Sequence, residues 1–208
     1  MKNDLNPILI DKNHPLRNEA EALIAYVYAR EYGAKIEAFA DLLIALPNED
    51  GVLRAAAGLR IGGNFFSEVY LDRTIESVLS DHWHPPATRS EIAEVTTLAA
   101  IHPNASYALF SGIVGYLQSL DIRFAFFTVT ERLHMILKRA GIPAEELAVA
   151  KADRVNNAEN WGRYYVTNPK VVAIHDAFVS LPGRAVQSNI VKADVNSGDK
   201  RNKDVNVA

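Results

Sequence analysis

The sequence predicts an α/β fold: a single mixed, mostly antiparallel sheet with one parallel strand pair at its centre and helices on both faces. One observation is an apolar hairpin, in which residues 36–46 and 52–60 flank the turn at residues 48–51. The other is an order of strand, helix, strand and helix over residues 92–140. That order predicts two parallel strands joined by a right-handed crossover.

The part of the chain before this crossover unit is predicted to hold one long helix and one short one. Residues 1–15 are polar and end in a proline, so we expect a flexible leader. From residue 16 apolar side chains recur at helical spacing, and Gly33 provides the stop after the helix. The segments that follow the hairpin are predicted as a short strand or extended segment (65–71), a helix capped by Asp72 (74–79) and a loop (81–88).

The crossover unit and the last strands occupy the second half of the chain. In chain order the unit is predicted as strand 92–101, connector 102–105, helix 106–120, strand 122–129 and helix 131–140. Further strands are predicted at residues 145–150, 161–166 and 171–174. Residues 187–208 are polar without periodicity, so we expect a disordered tail and a domain that spans residues 16–186.

Composition excludes several classes of protein. The chain has 208 residues, 49% hydrophobic and 23% charged, with a formal net charge of −3, which does not favour a nucleic-acid partner. It has no cysteine, so disulfides and thiolate chemistry are excluded. No segment matches a signal peptide or a membrane-spanning helix, and we expect a cytoplasmic protein. The sequence does not predict an oligomeric state.

Six short segments occur in a fixed order along the chain. They are Tyr32-Gly33-Ala34, Ala56-Ala57-Gly58-Leu59-Arg60, Glu68-Val69-Tyr70-Leu71-Asp72 with Ile75-Glu76, Glu94-Val95-Thr96-Thr97-Leu98-Ala99, Phe127-Thr128-Val129-Thr130 and Trp161-Gly162-Arg163-Tyr164-Tyr165. Together these segments resemble the thermostable hemolysin family. The resemblance covers residues 16–176. Family members more usually carry Gly-Asn where this chain has Thr96-Thr97.

The resemblance implies a fold similar to the Gcn5-related N-acetyltransferases and the acyl-homoserine-lactone autoinducer synthases. It therefore implies an acyl-thioester donor, either coenzyme A or an acyl carrier protein, and a small-molecule amine acceptor. In that fold two parallel strands splay apart and the pantetheine arm lies in the opening. The residues that the resemblance places around this arm are Leu98, Ala99, Ala100, Asn104, Ala105, Ser106, Tyr107 and Thr128.

The segment that would meet the donor's phosphates departs from the acetyltransferase pattern. Helix N-termini bind anions through free N–H groups, and the acetyltransferase loop wraps a pyrophosphate with glycines. Residues 101–107 contain no glycine, so a carrier-protein donor becomes as well supported as coenzyme A. An ordinary helix start is the structural alternative for this segment.

Glu94 is the candidate base for the amine. A carboxylate within an apolar central strand needs either a function or a charged partner. Alternation along the strand predicts that Glu94, Thr96, Leu98 and Ala100 share one face. The structural alternative for Glu94 is an ion pair with Arg60 or Arg89.

Two further charged residues are candidates for binding the acceptor. Arg60 ends a strand and could hold an acceptor carboxylate in a fork geometry, or have a structural role. Glu68, together with Asp72, could receive a cationic acceptor, or the two could pair with Arg60 and Arg73. Acetyltransferases often carry a tyrosine that acts as the general acid at the position where this chain has Leu137.

Other functions remain as alternatives. The family name suggests a membrane-active hemolysin, and the departures described above are consistent with a non-catalytic module that binds an acyl ligand. Histidines such as His82 and His84 lack the spacing of a metal site, so no metal is predicted. His134 is interpreted as a surface histidine, and residues 161–165 as either core or the lining of an acyl pocket.

Overall fold

A computed structural model describes residues 6–139 and 141–175, and these residues form one mixed sheet. The strands are β1 (Ile8–Ile10), β2 (Leu42–Pro47), β3 (Leu53–Ile61), β4 (Ile92–Ala100), β5 (Phe124–Val129), β6 (Glu145–Val149) and β7 (Lys170–His175). Their order across the sheet is β1-β2-β3-β4-β5-β7-β6. Only the pair β4 and β5 is parallel among these strands. The predicted fold class is confirmed.

Four helices cover the two faces of this sheet in the described part of the chain. They are α1 (Arg17–Tyr32), α2 (Ile75–His82), α3 (Pro103–Gln118) and α4 (Glu131–Arg139). Alternate residues of β2 pack on opposite sides: Leu43 contacts the cluster under α1, and Ile44 contacts the cluster under α3. Such alternation buries both faces of a strand, as expected for the centre of a two-layered core.

A β-bulge interrupts β4 next to its parallel partner. Ala56 pairs with Ala99 and Gly58 pairs with Thr96, so two residues of β4, Thr97 and Leu98, lie opposite one residue of β3. Thr97 has a φ of 47°, which reverses the alternation of side chains after it. The prediction that Glu94, Thr96, Leu98 and Ala100 share one face is therefore wrong: Leu98 and Ala100 pack on the α3 side, with Ala93 and Val95.

The chain before α1 is not wholly a leader. Ile8–Ile10 pairs with β2 as an edge strand, and Pro7 packs against α3, where a side chain on Gly112 would overlap it. Residues 1–5, and the predicted tail at 187–208, lie outside the described residues.

Two aromatic segments that were predicted as strands form short 3-10 turns. Ser67–Tyr70 replaces the strand at 65–71, while Ala158–Trp161 and Tyr164–Thr167 replace the strand at 161–166. Residues 36–41, predicted as the start of a strand, run as an irregular loop before β2.

Two helix starts also differ from the prediction. α3 begins at Pro103, because proline at the first helical position lacks only an N–H that the helix would leave unpaired. α2 is capped by Thr74, whose side chain accepts a hydrogen bond from the backbone N–H of Ser77. Asp72, the predicted cap, instead forms an ion pair with Arg154.

Glu91 stabilises the turn that leads into β4. Its carboxylate accepts hydrogen bonds from the backbone N–H of Thr88 at 2.9 Å and from the Thr88 hydroxyl at 2.7 Å, and Arg123 approaches it at 3.2 Å. These contacts, those of Thr88 before that of Arg123, lower the pKa of Glu91 to about 2. The charged form is therefore favoured in the native state.

We expect Glu91→Gln to lower the free energy of unfolding at pH 7 by about 1 kcal/mol, a discounted value because the side chain is 29% exposed. A lowered native pKa stabilises above the unfolded pKa of about 4.3, and this stabilisation disappears as the pH falls toward 2. Urea unfolding of both proteins between those limits should show the difference shrinking. Glu49→Gln, at an exposed turn, is the control. A difference that stays constant with pH would contradict the assignment.

Candidate functional site

The central parallel strands separate from one another half-way along their length. Their pairing ends at Val95 and Phe127, although β4 continues to Ala100 and β5 to Val129. Beyond this point two cavities meet, cavity 1 of about 200 Å³ and cavity 2 of about 330 Å³. The residues that line both cavities are Tyr28, Val95, Thr97, Thr128 and Tyr164. The predicted opening between the strands is therefore present.

Cavity 2 has a mainly apolar lining that also contains polar and charged residues. Phe110 of α3 and Leu133 and Leu137 of α4 line it, together with other apolar side chains. Its lining also includes Arg30, His102, Ser106 and Arg132. A channel of this composition suits a ligand with an apolar chain at one end and polar or anionic groups at the other.

Some of the residues predicted to bind the donor line cavity 2, and others do not. Those that line cavity 2 are Leu98, Ala100, Ser106, Tyr107 and Thr128. Ala99 does not, because the bulge turns it toward α1, where it is buried. Asn104 and Ala105 are also absent from the lining: Asn104 is exposed, and Ala105 packs against the core under α3.

Cavity 1 has aromatic walls, and Arg60 and Lys35 are the cations in its described lining. Phe66 stacks on Trp161 with ring centroids 5.8 Å apart, and both line the cavity with Tyr70. Arg60 also lines it, with a side chain that is 29% exposed. Because a guanidinium has five N–H donors and one of them bonds Glu94, Arg60 can still bind a planar anion such as a carboxylate.

Loop 33–41 and the segment around Asn160 line cavity 1 and are hydrogen-bonded to each other. The backbone N–H of Lys35 donates to the carbonyl of Asn160 at 2.6 Å, and the Asn160 amide donates to Glu37 at 3.1 Å. From the other side, Arg17 donates to the carbonyls of Ala40 and Asp41 at 2.7 Å and 2.8 Å. Loop 33–41 is thus held at both ends against the cavity.

Glu94 is fully buried and fully bonded. Its Oε2 accepts from Arg60 at 3.0 Å and from the backbone N–H of Phe66 at 2.7 Å, and its Oε1 accepts from the N–H of Ser67 at 2.6 Å. The ion pair with Arg60 is one of the alternatives that the sequence left open. Glu94 lines neither cavity, so its carboxylate holds Arg60 and the 66–67 turn in place.

Glu68 lies outside both cavities and has a different partner from those predicted. Arg89 binds its two oxygens at 2.8 Å and 2.5 Å and also binds Glu76 at 2.9 Å. The expected pairing of Glu68 and Asp72 with Arg60 and Arg73 is therefore wrong. The hydrogen bond from Arg89 is the main cause that lowers the pKa of Glu68. Both oxygens of Glu68 are used, which leaves its carboxylate little capacity for a cationic ligand.

Two tyrosines reach the junction of the cavities: sequence reasoning missed Tyr28 as a site residue and included Tyr164 only within the segment 161–165, as core or pocket lining. Tyr28 comes from α1, where its spacing indicated only an inward side chain, and Tyr164 comes from a segment read as strand. Burial raises the pKa of both hydroxyls well above the ordinary value. Each therefore keeps its proton at neutral pH and can donate a hydrogen bond, a capacity that Leu137 lacks.

Thr97 is strained at the same junction. A β-branched residue at a φ of 47° is disfavoured, and its hydroxyl oxygen is buried with no hydrogen-bond partner among the described residues.

We expect Thr97→Gly to raise the free energy of unfolding by about 1 kcal/mol, measured by urea unfolding, because relief of strain exceeds the entropy cost of glycine. Thr96→Gly, without a positive φ, should lower it. Equal losses for both variants would show that Thr97 carries no strain.

A family model described as thermostable hemolysin matches residues 10–178 of the chain. The chain belongs to the thermostable hemolysin family. This confirms the resemblance inferred from the sequence. No curated protein is significantly similar to this thermostable hemolysin-family chain.

Solved structures with the same fold include three synthases. LasI, an AHL synthase, aligns with a TM-score of 0.54 at 13% identity, over 82% of this chain and 90% of LasI. FeeM, an N-acyl amino acid synthase from uncultured soil microbes, aligns with 0.54 at 16% identity, over 83% and 92%. BjaI, a CoA-dependent acyl-homoserine lactone synthase solved with SAM and isopentyl-CoA, aligns with 0.51 at 9% identity, over 82% of each chain. At these sequence identities the likeness shows that this thermostable hemolysin-family protein has the same fold as the three synthases.

Membrane-spanning helices and metal-binding groups are the features that bear on the alternative functions. Among residues 6–139 and 141–175, no helix is long and apolar enough to cross a membrane. Over the same residues, no group of three or more histidine, aspartate or glutamate side chains is placed to hold a metal ion.

Proposed function

We propose that this protein is an N-acyltransferase, which moves an acyl group from a thioester in cavity 2 to the amine of an amino acid in cavity 1. The observation that carries the proposal is the junction between the strands. Two cavities of different chemistry share Thr97, Thr128 and Tyr164 there, so ligands in each can touch. Bringing two reactants into contact is the main requirement of a transfer reaction.

The composition of cavity 2 supports the thioester as donor. The apolar side chains match an acyl chain, and Arg132 and Arg30 in the same lining can pair with the phosphate of a pantetheine arm, Arg30 also being paired with Glu31. Pro103 at the start of α3 has no N–H, which removes one donor from the site that would bind a pyrophosphate. We therefore assign the donor as coenzyme A or the phosphopantetheine of a carrier protein; BjaI, which shares the fold, is a CoA-dependent synthase.

The composition of cavity 1 supports an amino acid as acceptor. Arg60 offers unused N–H groups for a carboxylate, and aromatic walls such as Phe66 and Trp161 suit an apolar side chain. Glu37 is the carboxylate in the described lining of cavity 1, and it is the candidate to receive the proton of the ammonium group. Lys35 at 2.9 Å and the Asn160 amide at 3.1 Å bond its two oxygens, but Glu37 and Lys35 are exposed, so an ammonium group can replace the lysine.

In the proposed reaction the free amine attacks the thioester carbonyl carbon. The new C–N bond forms, the C–S bond breaks, and the thiolate leaves with a proton to become the free thiol. Tyr28 or Tyr164, both protonated, can donate a hydrogen bond to the oxyanion or to the departing sulfur.

The test is to incubate the purified protein with acyl-coenzyme A or acyl carrier protein and mixed amino acids. Release of free thiol that depends on the amino acid, with an N-acyl product seen by mass spectrometry, is the expected result. Binding of the donor without thiol release would contradict transfer and indicate a non-catalytic module instead.

We expect Arg60→Lys to raise the acceptor KM about 100-fold while kcat changes less, because lysine keeps the charge but loses the fork. Steady-state kinetics at fixed donor concentration measure both constants. Arg73→Lys, at an exposed arginine paired with Asp81 outside both cavities, is the matched control. An unchanged acceptor KM in Arg60→Lys would remove Arg60 from the acceptor site.

A further inference from the structure

A third, small cavity shares two lining residues, Val95 and Phe110, with cavity 2. Cavity 3 has a volume of about 30 Å³ and lies between α3 and the strands β4, β5 and β7. Its walls are mainly apolar, including Ile113, Leu117 and Ile174, with Gln118 and Arg123 as the polar residues. Because protein cores are normally filled, an apolar space beside cavity 2 is available to a ligand or to an enlarged cavity 2.

One face of α3 runs along both spaces. Tyr107 and Phe110 line cavity 2, and Phe110, Val114 and Leu117 line cavity 3. The steps of three and four residues place these side chains in one stripe along the helix. Phe110 is the residue of this stripe that lines both cavities. Val95 of β4, on the sheet face that α3 covers, also lines both.

Phe110 is the aromatic residue that cavities 2 and 3 share, so its ring lies between the two spaces. Phe110 is 8% exposed and meets the ring of Phe127 edge to face, with centroids 6.1 Å apart. An apolar chain that entered cavity 2 would run against this ring before it reached cavity 3. Because both sides of the ring are apolar, the ring opposes a longer chain by its volume and not by polarity.

We propose that Phe110 sets the maximum length of the acyl chain that the protein accepts. The proposal rests on the proposed function, because it requires that cavity 2 receives the acyl group. A smaller residue at position 110 joins cavities 2 and 3 and admits a longer chain, whereas a larger residue shortens the channel.

The test is to measure the affinity of acyl-pantetheine thioesters with chains of about four to sixteen carbons. In the wild-type protein each added methylene should strengthen binding about fourfold until the chain reaches Phe110, and no further. In Phe110→Ala the rise should continue for about two more carbons, so that the longest favourable chain binds about 16-fold more tightly than in the wild type. Phe110→Trp should end the rise earlier.

The control is Phe65→Ala, which also removes a buried ring but lies in the separate cluster around Phe126. It should lower stability without moving the length limit. If Phe110→Ala does not fold, Phe110→Leu provides the same comparison with a smaller loss of volume.

The outcomes separate this proposal from the function it rests on. A limit in the wild type that is unchanged in Phe110→Ala and Phe110→Leu would overturn the role of Phe110 while the donor site stands. Failure of every thioester to bind the wild-type protein would overturn both, since no chain would then reach the ring.

Discussion

Glu94→Gln should lower the free energy of unfolding by about 3 kcal/mol, among the largest losses available to a single polar substitution in this protein. The carboxylate is 0% exposed and accepts three hydrogen bonds, from Arg60 and from the N–H groups of Phe66 and Ser67. A glutamine has one acceptor oxygen, so its NH₂ group must face a donor. It also leaves the guanidinium without a counter-charge.

Urea unfolding measures this loss, and Glu68→Gln is the matched control. Glu68 is also paired with an arginine, but its side chain is 21% exposed and Arg89 keeps Glu76 as a second partner. The control should therefore lose about 1 kcal/mol. If Glu94→Gln lost no more than Glu68→Gln, the buried carboxylate would not be what holds the 66–67 turn.

The same variant distinguishes positioning from base catalysis. If Glu94 positions Arg60, Glu94→Gln raises the acceptor KM, as Arg60→Lys does, and leaves the shape of the pH–rate profile unchanged. If Glu94 is the base, kcat falls and the acidic limb of the profile disappears. Its burial outside both cavities favours the first result.

Gly162→Ala should lower the free energy of unfolding by about 3 kcal/mol. Gly162 has φ 54° and ψ −121°, a conformation that is almost restricted to glycine. A Cβ there would overlap the carbonyl oxygen of Tyr32 and lie 2.8 Å from the carbonyl carbon of Gly33. The backbone cannot move away easily, because the next N–H, that of Arg163, bonds the same Tyr32 carbonyl at 2.7 Å.

Gly33→Ala is the matched control for this steric effect. Gly33 also has a positive φ, 68°, but no atom lies within 4 Å of the position a Cβ would take. We expect it to lose about 1 kcal/mol from backbone strain alone. Thermal and urea unfolding of both variants measure the difference. Equal losses would show that the contact between residue 162 and the end of α1 is not tight.

Gly162→Ala should also weaken ligand binding. The segment carries Trp161 and Tyr164, which line cavity 1, and Tyr164 lines cavity 2 as well. A shift of this backbone moves both rings. Ligand affinity should therefore fall in Gly162→Ala at temperatures where the variant is still folded, whereas Gly33→Ala should bind as the wild type does.

Local patterns predicted most of the elements because each depends on nearby residues. The helical spacing from residue 16 and the stop at Gly33 correspond to α1, whose end is capped by Gly33 in the left-handed conformation. The hairpin, the crossover unit and their parallel pair were also predicted. Family membership followed from short segments in order, and the family model confirms it.

The errors concern segments whose conformation depends on distant contacts. Residues 65–71 and 161–166 are rich in aromatic residues, which favour strands in general. Here their rings pack on one another around cavity 1, as in the pair of Phe66 and Trp161 and the hydroxyls of Tyr70 and Tyr165 at 2.7 Å. These contacts join parts of the chain some ninety residues apart, which no local window contains.

The candidate site was predicted in part for the same reason. Arg60 and five of the residues proposed for the donor line the cavities, but Glu68 and Ala99 do not. The bulge at Thr97 reverses the alternation of β4, and no glycine marks it in the sequence. Periodicity predicted that Tyr28 faces inward, but not which cavity it reaches, and it did not predict an inward position for Phe110.

By itself the sequence determined the family, the α/β class and the parallel strand pair, because hydrophobic periodicity and turn residues act over a few positions. Only the tertiary structure decided that the strands part after Val95, that Glu94 is bonded to Arg60 and that Phe110 divides two cavities. Each of these depends on which side chains meet across the sheet, and that is set by the packing of the whole domain.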